Sequence, residues 1–256
     1  MGGHMNIQYK YYQNNGVYIN YFVTGKGDPV LFLQGGATNV LAYKEFLELL
    51  ARNYMVIGAD VPCFGKASVP KTIWNFTDFG NYFEGFIDSL SFKNITVIGH
   101  SFGGGIGIRL AAKSDKVKEL ILVDSAGLSR GKSFALFYYS FFVTKNLAAL
   151  VTYRKFSKVL ALVKYFFKNI SRHPFEQVQV LRIMESSLLQ KNLPYGQLRT
   201  KTLILWGNKD EIFSIEDAKE LQRKISNSTL QIVEGNHDWC IFYPKKFYSL
   251  VREFIK

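Results

Sequence analysis

Ile95-Thr96-Val97-Ile98-Gly99-His100-Ser101-Phe102-Gly103-Gly104 is the stretch from which the rest of the chain can be read. Its first four residues are short, β-branched and apolar, as in a strand buried on both faces of a sheet. Residues 102–114 have helical spacing. Between them lies G-x-S-x-G in a strand–turn–helix context. Glycine at both ends allows a turn too tight for a side chain. Such a turn pushes the serine hydroxyl out at the carboxyl end of the sheet, and the helix start adds backbone N–H groups and a positive dipole end. Ser101 is therefore a candidate nucleophile.

Working outward, short β-branched runs recur at residues 7–12, 17–24, 30–34, 55–60, 95–99, 120–124, 202–206 and 230–234. The first two flank Asn15-Gly16, a strong hairpin signal. The later runs are almost continuously apolar, which suits parallel strands covered on both faces. Helical stretches fall between them at 40–52, 79–91, 102–114, 215–225 and 244–255. This alternation predicts an α/β fold: a mostly parallel eight-stranded sheet flanked by helices. It is interrupted once. From about residue 128 to 198 only helical periodicity is present, which predicts a helical cap inserted between the sixth and seventh strands. The expected organisation is a core of residues 6–127 and 199–256, a cap of 128–198, and a cloning remnant at 1–5 (Met1-Gly2-Gly3-His4-Met5).

A serine needs a base to be nucleophilic near neutral pH. Of the four histidines, His4 is in the remnant, His100 belongs to the turn itself and His173 lies in the cap. His237, in Glu234-Gly235-Asn236-His237, follows the last strand and would sit in a loop at the sheet's carboxyl edge. The base in turn needs a carboxylate to fix its tautomer and stabilise the imidazolium. Asp210, in Trp206-Gly207-Asn208-Lys209-Asp210, follows the seventh strand. Asp238 and Glu211 read as solvated loop charges. An acyl-transfer site also needs two donors for the developing oxyanion. The N–H of Phe102 is one, and the loop Gln34-Gly35-Gly36-Ala37 offers the N–H of Gly36, or that of Ala37, as the second.

These residues resemble the α/β-hydrolase superfamily, in particular cap-bearing enzymes similar to esterases, lactonases and carbon–carbon bond hydrolases. The resemblance runs from about Tyr18 to the end of the chain. It rests on Leu31-Phe32-Leu33-Gln34-Gly35-Gly36, Asp60-Val61-Pro62-Cys63-Phe64-Gly65, the glycines and serine of 99–104, the run 203–210, and Gly235-Asn236-His237 with Pro244 seven positions on. It implies the chain order Ser101, Asp210, His237 for the triad. Some relatives place the acid at the end of the sixth strand, which leaves Asp124 as a rival to Asp210. Relatives usually carry His where Gln34 stands and Gly where Cys63 stands. Asp60 is expected to buttress the site without taking part in chemistry. Haloalkane dehalogenases and epoxide hydrolases resemble the chain but have Asp at the elbow, so Ser101 argues against both.

The formal charge of +12 is unevenly distributed. No acidic residue lies between Asp124 and Glu176, while nine lysines and arginines do; elsewhere 23 basic residues face 20 acidic ones. Within this segment Phe156, Val159, Leu160, Val163, Phe166 and Phe167 recur at helical spacing opposite Arg154, Lys158, Lys164 and Lys168. The expectation is a cap helix with its apolar face over the site. The sharper alternative is peripheral contact with an anionic membrane, or attraction of an acidic substrate. Residues 133–151 approach the length of a membrane span with Lys145 as their only charge. A single span there would put two strands of one sheet on opposite sides of a bilayer, so Phe134, Phe137, Tyr138 and Phe141 are read as lining an acyl pocket. Two cysteines, Cys63 and Cys240, are too few for a disulfide framework and suit a cytoplasmic protein.

The chemistry expected is hydrolysis of an ester, thioester or lactone with an apolar portion, through an acyl-enzyme. No cofactor, metal or nucleic-acid partner is expected. Two alternatives share the scaffold. One is C–C bond hydrolysis of a dienoic keto acid, which would need an inward cation such as Arg182, Arg199 or Arg130. The other is a ligand receptor with negligible turnover.

Overall fold

The computed structural model describes residues 7–128 and 155–255. Eight strands form one sheet: β1 (Lys10–Asn14), β2 (Val17–Thr24), β3 (Pro29–Leu33), β4 (Met55–Ala59), β5 (Ile95–His100), β6 (Val117–Val123), β7 (Lys201–Gly207) and β8 (Ser228–Val233). Their spatial order is β1-β2-β4-β3-β5-β6-β7-β8. β2 runs antiparallel to both its neighbours, β1 and β4. Every other pairing is parallel. The β1–β2 turn is the expected one, with Asn15 and Gly16 both at positive φ (48° and 75°), as a two-residue hairpin of matching twist requires.

Period-2 alternation along the central strands feeds two cores, one on each face of the sheet. Leu31, Leu33, Ile57, Val97, Leu120, Leu122, Ile204 and Trp206 point to one. Val30, Phe32, Val56, Ile98, Ile121, Val123, Leu203 and Leu205 point to the other. The first face is covered by α2 (Phe76–Ser89), α3 (Phe102–Lys113) and α6 (Ile215–Lys224), and the second by α1 (Lys44–Leu50) and α8 (Pro244–Phe254), with the short α7 (Trp239–Phe242) beside them. Helix α3 can lie directly on the sheet because Gly103 has no side chain; a Cβ there would collide with the Leu33 carbonyl oxygen.

The structure moves several expected boundaries. β1 begins at Lys10 instead of residue 7. β6 begins at Val117 instead of 120, because the Lys118-Glu119 pair that interrupts the apolar run fits the pleat: Lys118 faces out, while buried Glu119 meets Lys201 Nζ at 3.1 Å. The expected helix at 40–52 divides into a 3₁₀ turn (Val40–Tyr43) and α1. Asp60 holds that turn by accepting from Val40 N at 3.1 Å, and Tyr43 leaves it to point inward.

Between β6 and β7 the described chain holds α4 (Phe156–Arg172), α5 (Gln177–Leu188) and a 3₁₀ turn (Tyr195–Gln197), and no strand. Arg130, Phe134, Phe137, Tyr138 and Phe141, and the apolar run 133–151, lie outside the described residues. The inward stripe of α4 differs from the expected one. Val159, Leu162, Phe166 and Asn169 are buried, whereas Phe156, Leu160 and Phe167 are 67, 70 and 57% exposed. Both lines have helical spacing, and only the packing partner selects between them. Lys155 and Lys158 donate to the carbonyls of Phe242 (2.5 Å) and Ile241 (3.0 Å), and Asn169 Oδ1 accepts from Gly65 N at 2.7 Å. These bonds fix α4 across the carboxyl end of the sheet. No described helix is long and apolar enough to cross a membrane.

Candidate active site

Ser101 stands between β5 and α3 at φ 51°, ψ −118°. This backbone conformation is costly for any residue with a side chain, about 1–3 kcal/mol. It is held by Ser101 N donating to Val123 O (2.9 Å) and Ser101 O accepting from Gly104 N and Ala126 N (both 2.9 Å). The N–H of Phe102 opens α3 and has no intrahelical acceptor. A Cβ on Gly35 would stand 3.2 Å from the Ser101 Cβ, so the 34–37 turn lies against the serine. The left-handed residue of that turn is Ala37 (φ 59°), neither of its glycines. Gln34 is fully buried; with its amide nitrogen toward Ala59 O (2.7 Å) and its oxygen toward Val61 N (3.0 Å), it ties the end of β3 to the end of β4.

His237 and Asp210 are brought together. His237 Nδ1 lies 2.9 Å from Asp210 Oδ2, and both side chains are almost completely buried. Asp210 Oδ1 accepts from the amides of Ile212 (2.7 Å) and Phe213 (2.9 Å). Burial opposes ionisation of Asp210, but the charge and hydrogen bond of His237, with these two amides, hold its carboxyl below the usual range. Because the carboxylate can only accept, Nδ1 carries the proton in neutral His237, and Nε2 is the basic nitrogen. Nε2 is buried and makes no hydrogen bond; none is formed with Ser101. Phe213 and His100 flank the imidazole at ring distances of 5.5 and 5.0 Å.

Three residues act here in ways the sequence did not suggest. Glu211, taken as a solvated charge, accepts from His237 N at 3.2 Å. Asp238, also taken as solvated, is buried. Tyr43 supplies the third. Its hydroxyl is 2.6 Å from His100 Nδ1 and 3.3 Å from Gly35 N, and His100 Nε2 is 2.9 Å from His237 O. A carbonyl only accepts, so His100 Nε2 carries the proton, Nδ1 accepts, and Tyr43 donates to it while accepting from Gly35 N–H. One chain of hydrogen bonds thus links the 34–37 turn, the elbow and the His237 loop. The nitrogens and oxygens of His100, His237 and Asp238 approach one another within 4.8 Å. With both His100 nitrogens and His237 Nδ1 already engaged, this group does not offer three open donors to a metal.

Asp60 accepts from Val40 N and Lys66 N (3.1 and 2.9 Å), tying the turn before α1 to the loop after β4. Arg182 and Arg199 are both exposed. A cleft of about 280 Å³ lies between α4 and the 3₁₀ turn before α1, with Tyr43, Leu162, Tyr165 and Cys240 in its wall.

A sheet in this order, a strained serine between its fifth strand and the next helix, and a buried Asp–His pair beyond the seventh and eighth strands define a hydrolase-type scaffold. The family profile of the alpha/beta hydrolase fold matches residues 28–244, and the chain belongs to that family. An uncharacterized hydrolase of Bacillus subtilis, YugF, is 23% identical over 242 residues, covering 88% of this chain and 85% of its own. A 2-hydroxymuconate semialdehyde hydrolase of a Pseudomonas species is 24% identical over 271 residues, covering 94% and 91%. The enol-lactonase of Burkholderia xenovorans superposes with a TM-score of 0.83 at 16% identity, over 96% of this chain and 99% of that one, a likeness of fold.

Proposed function

We propose that this hydrolase is a serine hydrolase cleaving an ester, thioester or lactone with an apolar portion. Ser101 Oγ attacks the carbonyl carbon while its proton passes to His237 Nε2. The oxyanion is held by the N–H groups of Phe102 and Gly36. His237 then gives the proton to the leaving group, and a water deprotonated by the same nitrogen releases the acyl group. The carrying observation is the 2.9 Å Asp210–His237 pair with its basic nitrogen unengaged. The domain reading, a core of 6–127 and 199–256 with a cap of 128–198, belongs to this proposal, as does a small-molecule substrate seated under the cap.

C–C bond hydrolysis is the second reading. It is supported by a relative named for a dienoic keto acid, a 2-hydroxy-6-oxo-2,4-heptadienoate hydrolase of Pseudomonas putida. An anionic substrate needs an inward cation; Arg182 and Arg199 are exposed, which leaves Arg130, outside the described residues, as the candidate for that role. The test is labelling by a fluorophosphonate probe, then turnover of esters of increasing acyl length beside a dienoic keto acid. Labelling of Ser101 with ester turnover supports the first reading. Turnover of the keto acid alone selects the second, and labelling with no turnover of any substrate points to a receptor.

The exposed line Phe156, Leu160 and Phe167 runs beside exposed Lys164 and Lys168. An apolar line flanked by cations matches the surface of an anionic bilayer, and we extend the proposal to peripheral contact there. Co-sedimentation with phosphatidylglycerol vesicles, absent with phosphatidylcholine and reduced in Leu160→Glu, is the expected result. Equal recovery with both lipids would refute it.

A further inference from the structure

The rival acid, Asp124, is not idle. It lies at the end of β6 with no solvent exposure and a positive φ of 41°. Its backbone N donates to Leu205 O (3.0 Å) and its Oδ1 accepts from Gly207 N at 2.7 Å. Asp210 N in turn donates to Gly207 O (3.2 Å), so Gly207 ties Asp124 to the loop that carries Asp210, and the two carboxyls are close enough to act on each other. Counted as a carboxylate, Asp124 has no donor for Oδ2. The neighbouring Trp239 indole N–H acts on Asp124 as a donor that favours its charged form, but neither Trp239 Nε1 nor Asp124 Oδ2 has a partner within hydrogen-bond geometry. A fully buried carboxylate oxygen without a well-placed donor, beside a second carboxylate, is not a stable arrangement. One proton resolves it: Oδ2 becomes a donor with an acceptor already in place.

We propose that Asp124 is a positioning residue, a neutral carboxylic acid whose Oδ2–H donates to the Asp210 carboxylate and holds it toward His237. The assignment of the proton follows from the unequal surroundings of the two groups. Asp210 has two amides and the His237 N–H to support its charge. Asp124 has one amide, and the buried Cys240 thiol, the Trp239 indole and Asp210 itself are its other neighbours. Burial, and then the charge of Asp210, push the Asp124 carboxyl well above the usual range, while Asp210 is held below it. This inference rests on the reading of Asp210 as the acid that orients His237.

The direct test is carboxyl-¹³C aspartate NMR of the full chain, with the Asp124 signal assigned by its loss in Asp124→Asn. We expect a protonated carboxyl at neutral pH; an Asp124 signal in the carboxylate range there overturns the proposal. Asparagine keeps both a donor toward Asp210 and an acceptor for Gly207 N. Ester turnover by Asp124→Asn should therefore stay within about threefold of the parent, while Asp124→Leu, which removes the donor, should lose about tenfold or more. In Asp124→Leu the acid limb of the kcat/KM profile should also move upward, because Asp210, no longer shared with a second donor, holds the proton on His237 more strongly. Equal losses in both variants, with unmoved pH limbs, would overturn the positioning role. If neither variant folds, assignment of the Asp124 carboxyl in the parent through its bonds to the backbone still decides the protonation state. If the parent fails to label at Ser101, the hydrolase reading fails while the protonation result stands.

Discussion

Replacing Tyr43 by Phe removes one oxygen and interrupts the chain from the 34–37 turn to the His237 loop. The ring itself can stay, since it is buried 4.6 Å from Phe32 and 5.6 Å from His100 by ring centroids. Two buried groups lose the Tyr43 oxygen: His100 Nδ1, the tighter contact at 2.6 Å, and Gly35 N, at 3.3 Å. His100 cannot adapt by changing tautomer, because its Nε2–H is needed by His237 O. Losing a buried hydrogen bond costs about 1–3 kcal/mol, so the two together cost about 3 kcal/mol. For a chain of this size that is roughly 6–12 °C in Tm. Because the 34–37 turn, proposed to hold the oxyanion, and the His237 loop hang on the same ring, the rate of fluorophosphonate labelling at Ser101 should fall about tenfold. Differential scanning calorimetry and a labelling time course measure the two effects on the same preparation. A Tm within about 2 °C of the parent, with an unchanged labelling rate, would refute both the tautomer assignment and the coupling of the two loops.

Ser101→Gly should abolish labelling yet raise stability by about 1 kcal/mol, because glycine adopts the φ 51°, ψ −118° turn without strain; denaturant titration reads the gain. Asp210→Asn should lower kcat by roughly 10³–10⁴-fold by presenting His237 with a donor and disfavouring the productive tautomer. The two buried aspartates should oppose each other in acid and base. Asp210, with its pKa lowered on folding, contributes stability above an unfolded value near ~3.9 that is lost as pH falls through its folded value; Asp124, raised on folding, contributes fully below ~3.9 and declines as pH rises toward its folded value. Asp124→Asn should therefore gain on the parent as pH rises above ~3.9, and a difference flat in pH would count against the raised value. Lys201→Met should cost about 2 kcal/mol, because Glu119 is left buried with Thr96 Oγ1 (3.3 Å) as its remaining donor; urea midpoints measure it.

Much of this site could be read along the chain. Elbow, base and acid each follow a strand whose apolar run is long enough to be seen, so their chain order places them at one edge of the sheet. The supporting residues left no such trace. Tyr43 looked like part of a helix because the turn ending at it has the same spacing as the helix that follows. Glu211 and Asp238 are charged and in a loop, a composition that reads as solvent until the partners are known.

The sequence by itself determined the α/β class, the eight strands, and the candidate roles of Ser101, Asp210 and His237. Those rest on local periodicity and turn chemistry, which act over a few residues. Tertiary structure alone decided which of two apolar lines on α4 is buried, which of two facing aspartates accepts from His237, and the direction of the Gly35–Tyr43–His100–His237 hydrogen bonds. Each depends on contacts between segments tens to more than a hundred residues apart. In the case of Asp124 and Asp210 the difference is one amide against three donors, a count that exists only once the strands are side by side.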